Sequence, residues 1–527
     1  MKYLPLVSPL LATVGFAQSS FINFESPHVH PLDLTPGNQR LLAVNTADNR
    51  LGVFDLTGAV PQLMLEIPVG LDPVSVRARS ANEAWVVNVI SDSISVVDLS
   101  TGSVTATLKT LDEPADVIFA GTPERAYVSC AAARKVQVFD PANLAAAPIE
   151  IAIQGEQPRA LARSIDGSRV YLAIFESGNN TTALGGGATS NIGTPPNVVN
   201  DPSGPYGGQN PPPNNGNSFS PPIAAGLPTP PKVGLIVRKN AAGQWKDDNN
   251  RDWTNLVSGA NAPASGRPVG WTLADNDVAV IQTATNAVSY TKTLMNICMS
   301  LAVNPANGQV TVIGTEATNE IRFEPNLKGK FVRVKLARTD AAGATTLGNV
   351  DLNPHLTYAV STVAQTERDK SIGDPRGIVW NSAGNRAYVS GMGSNNVIVV
   401  DGSGARAGLS QTINVGDGPT GLALDEAASR LYVLNKFSGS ISVISTTTES
   451  ELARIAFFDP TPQVIKLGRR HLYSTRETSG LGQASCGSCH IDGKLDRLAW
   501  DLGDPQGAMK STAGQNLGAG LPGLATG

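Results

Sequence analysis

Ala84-Trp85-Val86-Val87-Asn88, followed by Ile94-Ser95-Val96-Val97-Asp98, is the pair of segments that decides the fold. Each is rich in β-branched or aromatic side chains, and a polar turn separates them, as in two adjacent antiparallel strands. The first segment recurs as Leu41-Leu42-Ala43-Val44-Asn45, Ala126-Tyr127-Val128-Ser129-Cys130, Val170-Tyr171-Leu172-Ala173, Ala387-Tyr388-Val389-Ser390-Gly391 and Leu431-Tyr432-Val433-Leu434-Asn435. The second recurs as Leu51-Gly52-Val53-Phe54-Asp55, Val136-Gln137-Val138-Phe139-Asp140, Val397-Ile398-Val399-Val400-Asp401 and Ile441-Ser442-Val443-Ile444-Ser445. Most of these close on Asp, a turn former. From Leu41 to Val170 the first segments start 43, 42 and 44 residues apart, and from Ala387 to Leu431 the interval is 44. Gly and Pro mark the unit boundaries, at Gly70 to Pro73, Gly155 to Pro158, Gly373 to Pro375 and Gly416 to Pro419.

Four short strands in a unit of this length form the pattern of a β-propeller blade. Less regular units fall around Asp277 to Thr283 and Val310 to Gly314, which brings the second strands to eight. The expectation is an all-β fold, a seven- or eight-bladed β-propeller. Pro31 to Thr35 has no second strand before it and is expected to join the C-terminal strands and close the ring. The repeat resembles the bacterial YVTN-type β-propeller family over about residues 30 to 176 and 370 to 456. That resemblance implies the fold and leaves the function open, because propellers host enzymes, scaffolds and binding modules.

Composition agrees with this class. Among 527 residues, 53 Gly and 36 Pro argue against a helical bundle, a coiled coil or a long α-solenoid. At 41% apolar the chain can bury a core. Its 40 basic and 44 acidic residues leave a net charge of −4, with no nucleic-acid footprint and no draw toward an anionic membrane. Four cysteines are too few to staple a fold of this size.

Three regions follow. Residues 1–17 read as a signal peptide: Lys2 gives the positive start, Leu4 to Phe16 the short apolar stretch, Gly15 and Ala17 the small residues at cleavage. The mature chain is then expected to start near Gln18, in the periplasm or outside a bacterial cell, the other reading being a buried N-terminal strand. No later stretch is long enough for a membrane span. Residues 18–460 form the propeller, interrupted at about 178–233 by a Gly/Asn/Pro-rich excursion that includes Pro211-Pro212-Pro213. Residues 461–527 are expected to form a separate, small, mainly α region. Beyond the excursion, Asp247-Asp248-Asn249-Asn250-Arg251-Asp252 clusters oxygen side chains that can bind Ca²⁺. It lacks the glycine and distal Glu of an EF-hand loop, and a solvated turn is the preferred reading.

The chemistry lies in Cys486-Gly487-Ser488-Cys489-His490, a C-x-x-C-H motif. Two cysteines three apart can each form a thioether to one haem vinyl group, and the next histidine can place its imidazole on the iron. A thioredoxin-like dithiol, half a zinc site and a disulfide are the competing readings. The first wants a βαβ setting, where these flanks are Gly-rich, and a closed zinc site wants a second ligand pair that the chain lacks. Cys486 and Cys489 are therefore read as covalent anchors of a haem c, and His490 as its proximal axial ligand.

Upstream, the spacing predicts a helix from Pro462 to Tyr473, with Val464, Leu467 and Leu472 on its apolar side and Arg469 and Arg470 on its polar side. Leu467-Gly468-Arg469-Arg470-His471-Leu472-Tyr473-Ser474-Thr475-Arg476 to Gly480, continuing through Ser485 into the haem motif, resembles the bacterial di-haem cytochrome c peroxidase family. The resemblance spans about 25 residues, and the whole chain is similar to exported proteins that join a YVTN-type propeller to such a haem region. It implies a cytochrome c-like haem-binding region over residues 461–527, electron transfer and, through the peroxidases, peroxide reduction. Those peroxidases carry two C-x-x-C-H motifs where this chain has one, and 37 residues follow His490. The chain is accordingly expected to be a truncated piece of a longer protein.

Met509 is the downstream candidate for the distal ligand, against a plain packing role. His28, His30, His355 and His471 are expected to be ordinary solvated or hydrogen-bonded histidines, and Cys130 and Cys298 buried free thiols in different blades. Two function classes stand: a haem c electron-transfer component acting with a redox partner protein or peroxide, and a propeller module binding a partner or polymer with the haem region appended. An enzyme working in the propeller channel is a third. The regular blades show no cluster of His, Asp or Glu to support it.

Overall fold

The computed structural model describes residues 22, 24–178, 181–184, 235–240, 242–246, 252, 254–259, 274–321, 330–358, 362–408 and 412–494. The repeat seen in the sequence folds into four-stranded antiparallel sheets. In the unit that contains the deciding segments, Pro73–Ala78, Glu83–Asn88, Ser93–Asp98 and Ser103–Lys109 pair in chain order. Trp85 stands opposite Arg77 on one side and Val96 on the other. The second and third strands are nearly continuous apolar runs because a neighbouring sheet covers each face. The outermost strand alternates in exposure, as an edge against water should.

Five separate sheets have this order, and an eight-stranded sheet lies between the third and the last two. Its halves, Glu156–Arg163 with Arg169–Glu176, Val278–Gln282 and Val288–Thr291, and Ile297–Val303 through Thr346–Asp351, are joined by a single pair, Glu176 with Ile297. The innermost strands pack side by side around one axis: Leu32–Leu34 against Pro73–Ala78, then Pro114–Ala120, Glu156–Arg163, Ile297–Val303, Pro375–Trp380 and Pro419–Asp425, which returns to Leu32–Leu34. This is a propeller-like all-β arrangement about a central channel.

The boundary prolines have a structural task. Asp72, Glu113, Gln157, Asp374 and Gly418 precede Pro73, Pro114, Pro158, Pro375 and Pro419, and all five have positive φ, between 51° and 70°. The chain turns a tight corner there and feeds straight into an innermost strand. A register shift follows the proline, as between Pro73 and Ser75 or Pro375 and Gly377, because proline has no N–H to give the ladder. Serines tie one sheet to its neighbour round the channel: Ser75 Oγ donates to the Ala115 carbonyl at 2.7 Å and Ser129 Oγ to that of Arg159 at 2.6 Å.

Two expectations need correction. Pro31 to Thr35 does not join the C-terminal strands. Leu32–Leu34 pairs with Arg40–Asn45 as the innermost strand of its own sheet, and closure comes from its packing against Pro419–Asp425. Asp277 to Thr283 does not start a unit. Val278–Gln282 pairs with Arg169–Glu176 and is therefore a third strand, reached only after the long excursion. The regular spacing is lost there because the insertion separates two strands of one sheet. The described parts of the inserted stretch, Thr181–Leu184, Leu235–Lys239 and Trp245–Lys246, form a small sheet. The remaining residues of 178–233, the acidic run 247–251 and the signal-peptide segment 1–17 lie outside the described residues.

The core consists of layers between neighbouring sheets. Trp85 is fully buried, and its ring meets Phe119 of the next sheet edge-on at 5.3 Å. Its indole N–H donates to Glu83 at 2.9 Å, so truncation leaves both a cavity and a carboxylate without that partner. Trp85→Ala is expected to cost about 3–5 kcal/mol of unfolding free energy, measured by chemical denaturation.

Candidate functional site

After the last strand, Ser450–Ala456, the chain leaves the sheets and crosses the channel mouth as helices and turns. The helix Gln463–Tyr473 starts after Pro462, within one residue of the expected start. Its faces differ from the expectation at Val464, Leu467 and Arg469, while Arg470 is exposed as expected. Val464 and Leu467 are exposed, while Arg469 and Tyr473 are buried and Leu472 is half-buried. Arg469 is drawn inward because Glu25 waits there, its Nε donating at 3.0 Å, and because its guanidinium lies 5.1 Å from the Phe437 ring. Tyr473 stacks on the same Phe437 at 4.9 Å. An ion pair plus an aromatic partner outbid aliphatic periodicity in setting the inner face. His471 lies on the exposed side.

The C-x-x-C-H motif folds as a short helical turn. Ser485 is the N-cap: its amide donates to Ser488 Oγ at 3.0 Å, and the Ser488 amide donates to the Ser485 carbonyl at 3.0 Å. The amides of Cys489 and His490 both reach the Cys486 carbonyl, at 3.3 and 3.0 Å. Cys486, Cys489 and His490 thus follow one another at i, i+3 and i+4, the spacing that places three side chains on one face of a turn. Cys486 and His490 are exposed, Cys489 is half-buried, and the two cysteines form no disulfide. The turn rests on apolar packing: Ala484, Ile491 and part of Cys489 lie against Phe175, Ile297, Met299 and Val332 of the propeller.

Immediately beyond, Asp492 points into the channel mouth. Arg159 Nη1 donates to its Oδ2 at 3.0 Å, and Arg376 Nη1 lies 3.0 Å from Oδ1 and 3.1 Å from Oδ2. Arg376 is also clamped by Asp374 through Nε at 2.8 Å and Nη2 at 3.2 Å. Burial by itself would raise the Asp492 pKa, but Arg376, Arg159 and Lys436 outweigh it and hold the carboxyl well below its usual range. Lys494 adds an exposed pair with Glu113 at 2.9 Å.

Deeper in the channel, His30 Nδ1 meets Asp116 Oδ2 at 2.7 Å, with Arg77 3.7 Å away and the Leu161 amide donating at 2.8 Å. Burial pushes the Asp116 pKa up, and His30 and Arg77 pull it back below its ordinary value. The fold thus sets one His/Asp pair at the channel, from stretches 86 residues apart in sequence. With His30 and Arg77 the innermost strands line an open pocket of about 490 Å³, and a second of about 580 Å³ lies between Phe24, Asp72, Lys436 and Phe457.

The remaining candidates separate cleanly. His28 is buried, with its two ring nitrogens 2.8 Å from Thr420 Oγ1 and 2.6 Å from Thr46 Oγ1, and burial lowers its pKa well below normal. His355 is half-buried, 3.2 Å from the Glu367 carbonyl and 3.3 Å from Ser371 Oγ. Cys130 and Cys298 are buried, form no disulfide, and have thiols pushed upward by burial, Cys130 to about 12. Met509 lies outside the described residues. Among the described residues no group of three His, Cys, Asp or Glu is placed to hold a metal ion, and no helix is long and apolar enough to cross a membrane.

Sequence reasoning missed Arg159 and Arg376. Both follow a boundary proline, Pro158 and Pro375, where equivalent positions carry Val74, Ala115 and Thr420. That contrast was the available signal: a small or apolar repeat position occupied twice by arginine.

No family model matches the chain. An uncharacterized protein YncE of Salmonella typhi is 41% identical over 87 residues, 16% of this chain and 24% of that protein. The Escherichia coli K12 YncE is 40% identical over the same length. The chain thus spans about a quarter of the length of these curated relatives. Among solved structures, hydrazine synthase of Kuenenia stuttgartiensis superposes with a TM-score of 0.50 at 14% identity, over 82% of this chain and 99% of that one. At that identity the likeness shows the fold alone. Together they support a bacterial β-propeller protein.

Proposed function

We propose that the chain is an exported c-type haem protein in which a β-propeller carries one haem at the mouth of its channel for electron transfer. The observation that carries this reading is the turn Cys486–Ser488 with the two residues that follow it: two thiols and an imidazole at i, i+3 and i+4, with Cys486 and His490 exposed and Cys489 half-buried against the sheets. The donor set fits haem c, with Cys486 and Cys489 as thioether anchors and His490 as proximal ligand. A haem held there would supply one-electron chemistry, and Met509 is the candidate for a further ligand. The propeller's part is to fix the motif: Ile491 packs into the apolar seat and Asp492 is held by two arginines, so the backbone bearing His490 is positioned from both ends. Peroxide reduction, which rests on the peroxidase resemblance alone, is the narrower form of this proposal. The partner is then a redox protein or peroxide, and the compartment is the periplasm or the exterior, where haem c attachment occurs. In the same reading each half of the eight-stranded sheet is a blade, making seven.

A second reading is favoured by the two pockets: a propeller that binds a partner, with the haem region appended. Expression with haem-maturation machinery and a pyridine haemochrome spectrum tests the first. The wild type is expected to retain haem through denaturing extraction, and Cys486→Ala/Cys489→Ala to lose all of it. Retention of covalent haem by that variant would sink the assignment. Rapid reoxidation of the dithionite-reduced protein by peroxide would support the peroxidase form over plain electron transfer.

A further inference from the structure

We infer that the upper mouth of the propeller channel is a carboxylate-binding site, and that Asp492 of the C-terminal segment is its tethered occupant. The site is built by the propeller. Arg159 lies on the innermost strand Glu156–Arg163 and Arg376 on Pro375–Trp380, and both side chains are almost fully buried. Neither depends on Asp492 for its position. Arg159 stacks 3.6 Å over the Phe175 ring and donates through Nη2 to Gln157 at 3.1 Å. Arg376 is fixed in two-point fashion by Asp374. The two guanidiniums therefore form a preorganised pair, the arrangement that recognises a carboxylate.

Charge completes the argument. Asp374 neutralises Arg376, while Arg159 has Asp492 as its salt-bridge partner among the described residues. Lys436, which donates to the Ser26 carbonyl at 2.8 Å and faces Glu25 at 3.9 Å, also acts on Asp492. The Nε of Arg159 is buried without a hydrogen-bond partner, so even the occupied site has donor capacity to spare. Lift Asp492 away, and the propeller is left with a buried cationic socket sized for one carboxylate. The occupant itself enters on a short turn: Asp492 has φ of 53°, a left-handed conformation uncommon outside glycine, and Gly493 follows at 71°. The segment is bent to deliver one side chain. A free carboxylate, or one carried by a peptide, matches the same contacts. This inference is independent of whether haem is attached two residues upstream.

Asp492→Gly in the full chain opens the socket and suits the positive φ. Its thermal unfolding is to be followed in sodium acetate and in sodium chloride at equal ionic strength. Acetate is expected to raise the variant's Tm by about 2 °C or more over chloride, through binding to the folded state alone. The wild type, its socket filled, should show no such difference, and Asp492→Gly/Arg159→Gln should lose the response. An equal acetate response in wild type and variant, or none in the variant, overturns the inference. Should Asp492→Gly not fold in chloride, recovery on refolding is compared in the two salts. Recovery confined to acetate supports the site, and equal recovery or failure in both rejects it.

Discussion

Arg376→Met is expected to destabilise the protein by about 3–5 kcal/mol, among the largest effects of any single polar substitution here. Arg376 is 4% exposed and stands between two buried carboxylates, Asp374 and Asp492. Methionine fills much of the volume but leaves both acids without their principal cation. Burial pulls an arginine's pKa down, yet these two partners hold Arg376 above its ordinary value, which shows how strongly its charge is stabilised in place. The cost therefore comes from orphaned charge, more than from the lost attraction. Denaturant unfolding at neutral pH measures it, and the double variant Arg376→Met/Asp374→Asn should lose less than the sum of the singles. Arg454→Met supplies the contrast. Arg454 pairs with Glu451 at 2.8 Å but is 44% exposed, and its loss should change stability by less than about 0.5 kcal/mol. Equal effects at the two positions would mean that Asp374 and Asp492 are hydrated in solution.

The legible part of the molecule was whatever repeats. Second and third strands such as Glu83–Asn88 and Ser93–Asp98 have local causes: β-branched runs, a polar turn and a closing Asp. The boundary corners were legible too, because proline after a residue such as Asp72 or Asp374 breaks the chain direction regardless of its surroundings. Where one strand pairs across an insertion the local cause is absent. Nothing within Val278–Gln282 states that its partner lies a hundred residues earlier in Arg169–Glu176. The helix Gln463–Tyr473 shows a different limit. Its extent follows from local preference, but its inward face was decided by Glu25 and Phe437, residues of other elements.

The candidate site divides the same way. The proposal at Cys486, Cys489 and His490 rests on spacing within five residues, which a sequence displays by itself. Their support is not displayed in that way. Asp492 is anonymous in the sequence, and it acquires meaning only when two innermost strands bring Arg159 and Arg376 to one point. His30 and Asp116 were hidden for the same reason, each lying in an unremarkable stretch until the ring closes and sets them 2.7 Å apart. Channel chemistry in a propeller is written across units, one residue per blade, and a search along the chain for clustered acids and histidines passes over it.

Asp277→Asn is expected to make the protein more stable above pH 8, by a few kcal/mol, and to flatten its stability profile between pH 4 and 8. The Asp277 side chain is wholly buried at the start of Val278–Gln282. Burial pushes its pKa up to about 8; the Leu294 amide, donating at 2.9 Å, pulls it partly back, and the nearby Asp275 adds repulsion. The Cys298 thiol, 3.8 Å away, is buried with it. The sign follows from proton counting. Below about pH 4 the carboxyl is protonated in both folded and unfolded chains, and it contributes no slope. Between about pH 4 and 8 the unfolded chain has released the proton while the folded chain keeps it, so raising the pH favours unfolding by up to about 1.4 kcal/mol per unit. Above pH 8 both are ionised and the penalty is constant. Asparagine keeps a carbonyl oxygen for the Leu294 amide and carries no charge at any pH, which removes that contribution. Other titrating groups act equally in both proteins, so the difference between their profiles isolates this one. Denaturant unfolding of wild type and variant at pH 4.5, 6.5 and 8.5, about the limits of the window, should show the variant's advantage growing across the series. Parallel profiles would place an ionised Asp277 in the native protein at neutral pH, with a cation or water reaching it through the sheet edge.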